Sequence, residues 1–269
     1  MDVLTLQDIV LSSTQVIVAI PIIVLSGRLM AKKEYGLLPA YFTFAMVSYL
    51  LGDVYYVAYN ILRPNTRMPM AATEIAECAM LLLLSAGIET ISDIRAKINW
   101  PALFFAIAFT GANIALWAAW SGDIPMSVIF GLPYVYYMYL ILVGLYNSGA
   151  AELNKIAVCI VVMCLVVSLS IAALGADEYH YMILTNICYV FDYLILIWVF
   201  VRYIRMMLNK DPLCKSRALY LSYTFHIGTL FVMFMSEGFM YSVATAVSIL
   251  SLPMMFFAMK KELSKDDIQ

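Results

Sequence analysis

Tyr49-Leu50-Leu51-Gly52-Asp53-Val54-Tyr55-Tyr56-Val57-Ala58-Tyr59-Asn60 is an apolar, aromatic run with a carboxylate set inside it. Tyr49, Asp53, Tyr56 and Asn60 are spaced by four, three and four residues, so a helix puts them on one face. The rest of that helix is built largely of Leu, Val and Ala, which makes the face a polar and aromatic stripe. A charged side chain near the centre of a bilayer costs roughly 2.5–3.5 kcal/mol on insertion scales. Acids retained at such depth usually face a bundle interior or a cavity.

The whole chain shares this apolar character. It has 269 residues, of which 64% are hydrophobic and only 13% charged, with a mean hydropathy of +0.89. A soluble domain of this length needs far more polar surface, so composition predicts an integral membrane protein. The net charge of -2 gives no reason to expect nucleic acid as a partner. The N-terminus lacks a basic region and a small-residue cleavage site, so the first hydrophobic segment is expected to stay in the membrane. Cys78, Cys159, Cys164, Cys188 and Cys214 form no CxxC pair, and they read as small buried hydrophobes.

A hydrocarbon core about 30 Å thick takes about 20 apolar residues per helix. Nine segments meet or approach that length: 8–30, 37–62, 68–89, 100–120, 124–146, 154–174, 180–206, 217–236 and 239–259. The join at Ser236-Glu237-Gly238 is placed there because 217–259 is too long to cross once. With the N-terminus outside, the loops after odd-numbered segments and the C-terminal tail hold 14 of the 16 Lys and Arg residues, and only Arg63 and Arg67 fall outside. That asymmetry follows the positive-inside rule. The reading is an all-α, polytopic transmembrane helix bundle. It forms one integral membrane domain over 1–269, with about nine spans, N-terminus out and C-terminus in. Eight spans is the alternative. The expected location is a bacterial cytoplasmic (inner or plasma) membrane. The tail Lys260–Gln269 and the loop Asn209–Ser216 are too short to hold a soluble signalling domain.

Asp53 lies nine residues before Leu62, about 13 Å below the outer end of its segment at 1.5 Å per residue. In the third segment Glu74 and Glu77 are three apart, and two adjacent carboxylates repel. An acidic first turn favoured by the helix dipole explains Glu74 equally well, whereas Glu77 is deeper. Asn113 lies in the fourth segment and Tyr137 belongs to an aromatic cluster in the fifth. Asn186, Tyr189 and Tyr193 share a face of the seventh segment, with Asp192 beside it. His226, in the eighth, reads as a hydrogen-bonded packing residue. Trp100, Trp120, Tyr146 and Tyr181 sit at segment ends, where interface anchoring accounts for them.

Together these positions describe an acidic, tyrosine-lined pocket open to the outside, with Tyr49, Asp53, Tyr56, Asn60, Glu74, Glu77, Asn113, Tyr137, Asn186, Tyr189 and Asp192 as candidate ligand-binding residues. The competing explanation is that each acid satisfies a separate helix–helix hydrogen bond.

The chain holds no HExxH, no GxSxG and no glycine-rich phosphate loop, and its two histidines exclude a multi-histidine metal site. No Lys lies within the last two spans to carry a retinal Schiff base. No cofactor and no metal are called for. The function expected is binding of a small polar or cationic molecule for transport or sensing. Membrane lipid, or a partner membrane or signalling protein, completes the set of partners. The alternative is an enzyme: Asp53 and Asp192, two carboxylates in different environments, can serve as general acid and base on a lipid.

Leu51-Gly52-Asp53-Val54-Tyr55 resembles the Gly-Asp motif of the YhhN-like lysoplasmalogenase family, and Phe191-Asp192 is similar to the buried Asp of that family's later helices. The resemblance implies a small polytopic bundle that hydrolyses the vinyl-ether bond of lysoplasmalogens, with Asp53 and Asp192 catalytic. The family's Gly…Phe…His…Tyr pattern is missing, because Met68 to Glu89 contains no His. The residues from Gly52 to Tyr56 and from Ala72 to Ala76 also resemble membrane sensor modules of bacterial signalling proteins. Asp53→Cys, Glu77→Cys and Asp192→Cys test the outward pocket. Each new thiol is expected to react with an impermeant reagent added outside, and uniform protection would sink the cavity.

Overall fold

The structure is a computed structural model that describes residues 3–32, 35–63, 72–91, 98–121, 123–148, 166, 178–209, 216–236 and 238–266. Among these residues every regular element is helical. The helices are α1 (Val3–Met30), α2 (Leu38–Leu62), α3 (Ala72–Ile91), α4 (Trp100–Ser121), α5 (Ile124–Asn147), α6 (Glu178–Leu208), α7 (Arg217–Met235) and α8 (Gly238–Asp266). The segment expected at 154–174 lies outside the described residues apart from Val166.

Short local signals set the ends. Asn99 accepts a hydrogen bond from the Ala102 amide at 3.1 Å, and Asp123 accepts one from the Met126 amide at the same distance. Each cap is followed two residues later by a proline, Pro101 or Pro125, whose missing N–H costs nothing in a first helical turn. The break between α7 and α8 falls at the expected join, where Gly238 takes a φ of +57°, a conformation that side chains with a Cβ disfavour. One difference concerns the C-terminus. The charged tail continues α8 to Asp266, with Glu262 and Leu263 buried while Lys260 and Lys261 are exposed. That sequence is rich in good helix formers and amphipathic, so nothing stops the helix at the end of the apolar run.

Among the described residues, four helices are long and apolar enough to cross a membrane: Ile9–Met30, Trp100–Ala118, Ile124–Asn147 and Gly238–Ser264. They mark an integral membrane protein. Large apolar side chains also lie exposed along the other helices, among them Leu51, Val54, Val190 and Ile197, which suits contact with lipid rather than water.

The chain divides into two compact units. The first comprises Met1–Ile91 with Ser236–Gln269, and the second Ser92–Met235. In the first unit α2 packs against α1 and α3, and α8 returns to pack against α1. The buried face of α1 is Ile9, Ser12, Gln15, Ala19, Ile22 and Ser26, a helical stripe of mostly small or polar residues. α8 answers with Ser242, Thr245, Ser248 and Ser251. Small groups also set the α2–α3 distance. A Cβ at Gly52 would stand 3.2 Å from the Ala76 Cβ, and one at Gly87 would stand 3.2 Å from Leu38 Cδ1. The two contacts fix an antiparallel register that brings Asp53 level with the first turns of α3.

In the second unit α5 packs against α4 and α7, and α6 against α7. Here the fit is tighter still. A Cβ on Gly144 would overlap the buried Tyr220 ring, and one on Gly228 would come within 2.6 Å of Leu196 Cδ2. Gly144→Ala is therefore expected to destabilise the purified protein by about 1–3 kcal/mol, because a rigid ring must move. Gly111 in α4 has nothing within 4 Å of an added Cβ. Gly111→Ala should leave stability unchanged or raise it by up to about 1 kcal/mol through helix propensity. Thermal unfolding in detergent compares the two, and equal midpoints would refute the packing argument.

Candidate functional site

The first unit gathers its polar side chains around Tyr49, near the middle of α2. Tyr49 is buried at 7% exposure, and its hydroxyl accepts a hydrogen bond from Gln15 Nε2 at 2.7 Å. Gln15 is buried at 2% exposure near the middle of α1, so this bond ties two helices together midway along their length. Asp53, Glu77, Tyr241 and Ser248 all lie within electrostatic reach of the same hydroxyl. All four helices of the unit thus contribute to one polar cluster.

Asp53 is half-buried, but its Oδ2 is fully buried and has no hydrogen-bond partner among the described residues. The buried Ser248 hydroxyl lies within hydrogen-bonding reach of the Tyr49 hydroxyl. Glu74 accepts a hydrogen bond from the Thr73 hydroxyl at 2.8 Å, within the first turn of α3, and Glu77 is half-buried one turn further on. Asn60 donates back to the Tyr56 carbonyl at 3.0 Å, so part of its amide is used on its own helix. Tyr56 is half-buried.

The remaining expected residues belong to the second unit. Tyr137 is fully buried, donates to the Tyr223 carbonyl at 3.4 Å and stacks on the Tyr223 ring. Asn113 is buried and donates from Nδ2 to the Phe109 carbonyl at 3.0 Å, while its Oδ1 has no partner among the described residues. Asp192 is 1% exposed, and its Oδ2 likewise has no partner among them. Asn186 is exposed, and the side chain of Tyr189 lies outside the described residues. His226 is fully buried, and its carbonyl accepts the Thr229 hydroxyl at 2.6 Å. The structure therefore brings Tyr49, Asp53 and Glu77 together in one unit, with Asn113, Tyr137 and Asp192 in the other.

Sequence reasoning missed Gln15, Tyr241 and Ser248. A signal for Gln15 was present: it falls on the small-residue stripe from Ser12 to Ser26, one turn from each neighbour. Among the described residues no group of three His, Cys, Asp or Glu side chains is placed to hold a metal ion. No protein-family model matches the chain, and neither a curated protein nor a solved structure matches it.

The Gln15–Tyr49 bond gives a direct test of the cluster. Tyr49→Phe removes the acceptor and leaves a buried amide unpaired. In a double-mutant cycle with Gln15→Leu, the second substitution should cost less than it does alone, by about 0.5–2 kcal/mol. Additive losses in thermal or denaturant unfolding would show that the two side chains do not interact.

Proposed function

We propose that this chain is a multi-pass membrane protein that binds a small polar or cationic molecule, for transport or sensing, at the acidic, tyrosine-lined cluster around Asp53. The supporting observation is the state of the Asp53 carboxyl. One of its oxygens is buried without a hydrogen-bond partner among the described residues, and the carboxyl lies near the Tyr49 hydroxyl, which a second acid, Glu77, also reaches. A carboxylate left that way inside a bilayer is costly, and a positive or hydrogen-bond-donating ligand removes the cost. Tyr49, held in place by Gln15, supplies a fixed hydroxyl and an aromatic face next to the acid. A ligand that binds here exchanges its hydration shell for a preformed set of oxygens and a ring.

The full reading has nine spans, with the N-terminus outside and Asp53, Glu74 and Glu77 in the outer half of the membrane. The asymmetry of Lys and Arg supports that orientation. In it the cluster opens to the outside and receives its ligand there.

Mass spectrometry of the purified protein tests the reading, followed by solute flux in liposomes. The wild-type protein is expected to retain a small molecule carrying an ammonium, guanidinium or hydroxyl group. Asp53→Asn should lose it, and lose any flux, while remaining folded in detergent. Retention of the same molecule by Asp53→Asn refutes the proposal. Turnover of a lyso-lipid that fails in both Asp53→Asn and Asp192→Asn would replace it with the hydrolase reading.

A further inference from the structure

The second unit contains a buried polar layer of its own. Thr110 and Asn113 lie three apart on the buried face of α4, and Asp192 lies on the buried stripe of α6 that continues with Leu196 and Val199. All three are more than nine-tenths buried, at 0%, 5% and 1% exposure. Each has one side-chain oxygen with no hydrogen-bond partner among the described residues: Thr110 Oγ1, Asn113 Oδ1 and Asp192 Oδ2.

Ring and glycine contacts between the helices put these oxygens at one level of the unit. Gly228 faces Leu196, and the Phe225 ring lies 5.8 Å from Phe200, so antiparallel α6 and α7 bring Asp192 opposite Val232. The Phe231 ring meets Phe109 edge-on at 5.4 Å, which brings Thr110 and Asn113 to the same height on α4. Phe231 also contacts Tyr134 at 5.5 Å, and Gly131 faces Ile114, which closes the comparison through α5. One register thus sets Asp192 on α6 against α7, and the contacts among α4, α5 and α7 set Thr110 and Asn113 at that height.

The chemistry of the three groups then restricts what can join them. Only the nitrogen of the Asn113 amide can donate to the Phe109 carbonyl, so its free end is an acceptor. Asp192 presents a second acceptor. Thr110 departs from the habit of the chain's other buried threonines. Thr43, Thr224 and Thr245 each donate to the carbonyl four residues back, at 2.7, 2.7 and 2.8 Å, and Thr110 does not. A proton on Asp192 could be relayed through the Thr110 hydroxyl to Asn113, but no two of the three oxygens are hydrogen-bonded to each other. A cation serves all three, and a single carboxylate balances a single positive charge.

We propose that Asp192, Asn113 and Thr110 form a site for a dehydrated monovalent cation, sodium, inside the second unit. This goes beyond the ligand cluster around Asp53 and does not depend on it. Thermal unfolding of the full chain in detergent provides the test, with sodium chloride exchanged for choline chloride at constant ionic strength. Sodium is expected to raise the midpoint by several degrees in a saturable way, since a ligand that binds only the folded state stabilises it by mass action. The rise should vanish in Asp192→Asn, shrink in Thr110→Val and Asn113→Ala, and persist in Asp53→Asn. Equal midpoints in sodium and choline overturn the site, and so does a sodium effect that disappears in Asp53→Asn instead. If Asp192→Asn does not fold, the milder variants decide: an unchanged sodium titration in both Thr110→Val and Asn113→Ala overturns the assignment.

Discussion

Apolar side chains gain little by leaving lipid for the surface of another helix, so membrane helices associate through close packing and interhelical hydrogen bonds. That constraint explains where the small residues of this chain lie. Gly52 and Gly87 let α2 and α3 approach along their length, and Gly144 and Gly228 make room for Tyr220 and Leu196. The serine and threonine stripe of α8 meets the Ser12–Ser26 face of α1 in the same spirit. Large side chains such as Leu51, Val190 and Leu250 point outward, where lipid accepts them as readily as protein would.

Once helices are that close, every polar side chain between them has to be satisfied without water. Most of this chain's small hydroxyls manage alone by bonding to their own helix, as Thr43, Ser222, Thr229 and Ser251 do. Gln15 and Tyr49 satisfy each other across two helices. Against that background the few groups that bond neither to their own helix nor across to a neighbour are informative. Among the described residues, oxygens of Asp53 and Ser85 in the first unit, and of Thr110, Asn113, Asp192 and Tyr223 in the second, are where the local solution is withheld. Two of these groups are carboxyls, which gain most from a proton, a cation or a ligand.

Composition and apolar runs made the helices readable. The end of α7 was legible because a run from 217 to 259 cannot cross once and because Gly238 supplies the turn. The stripe on α2 was legible because Tyr49 and Asp53 are large departures in an apolar run. Gln15 was not, since one amide in a long apolar helix carries no sign of its partner until Tyr49 is placed opposite it. Thr110 was hidden for a different reason. Threonine in a membrane helix normally bonds its own backbone, and only the structure shows one that does not. The side-chain direction of Asn60 was equally out of reach, because an amide on a helix face can turn back one turn or reach across, and sequence spacing is the same for both.

Sequence order also hides which helices surround each acid. Asp53 and Asp192 each sit among aromatics in an apolar helix, one in each compact unit. α8, last in the chain, packs with the first three helices and brings Ser248 and Tyr241 to Tyr49, and Phe256 to within 6.5 Å of Phe42. Asp53 therefore owes its surroundings to residues nearly two hundred positions away, and Asp192 owes its own to α4 and α7. Asp53 acts on Tyr49 within the first unit, and Asp192 lies beside Tyr193 within the second. A carboxyl group in such a setting is neutralised by what its own unit can hold, whether proton, cation or ligand. The chemistry of each acid is best sought there first.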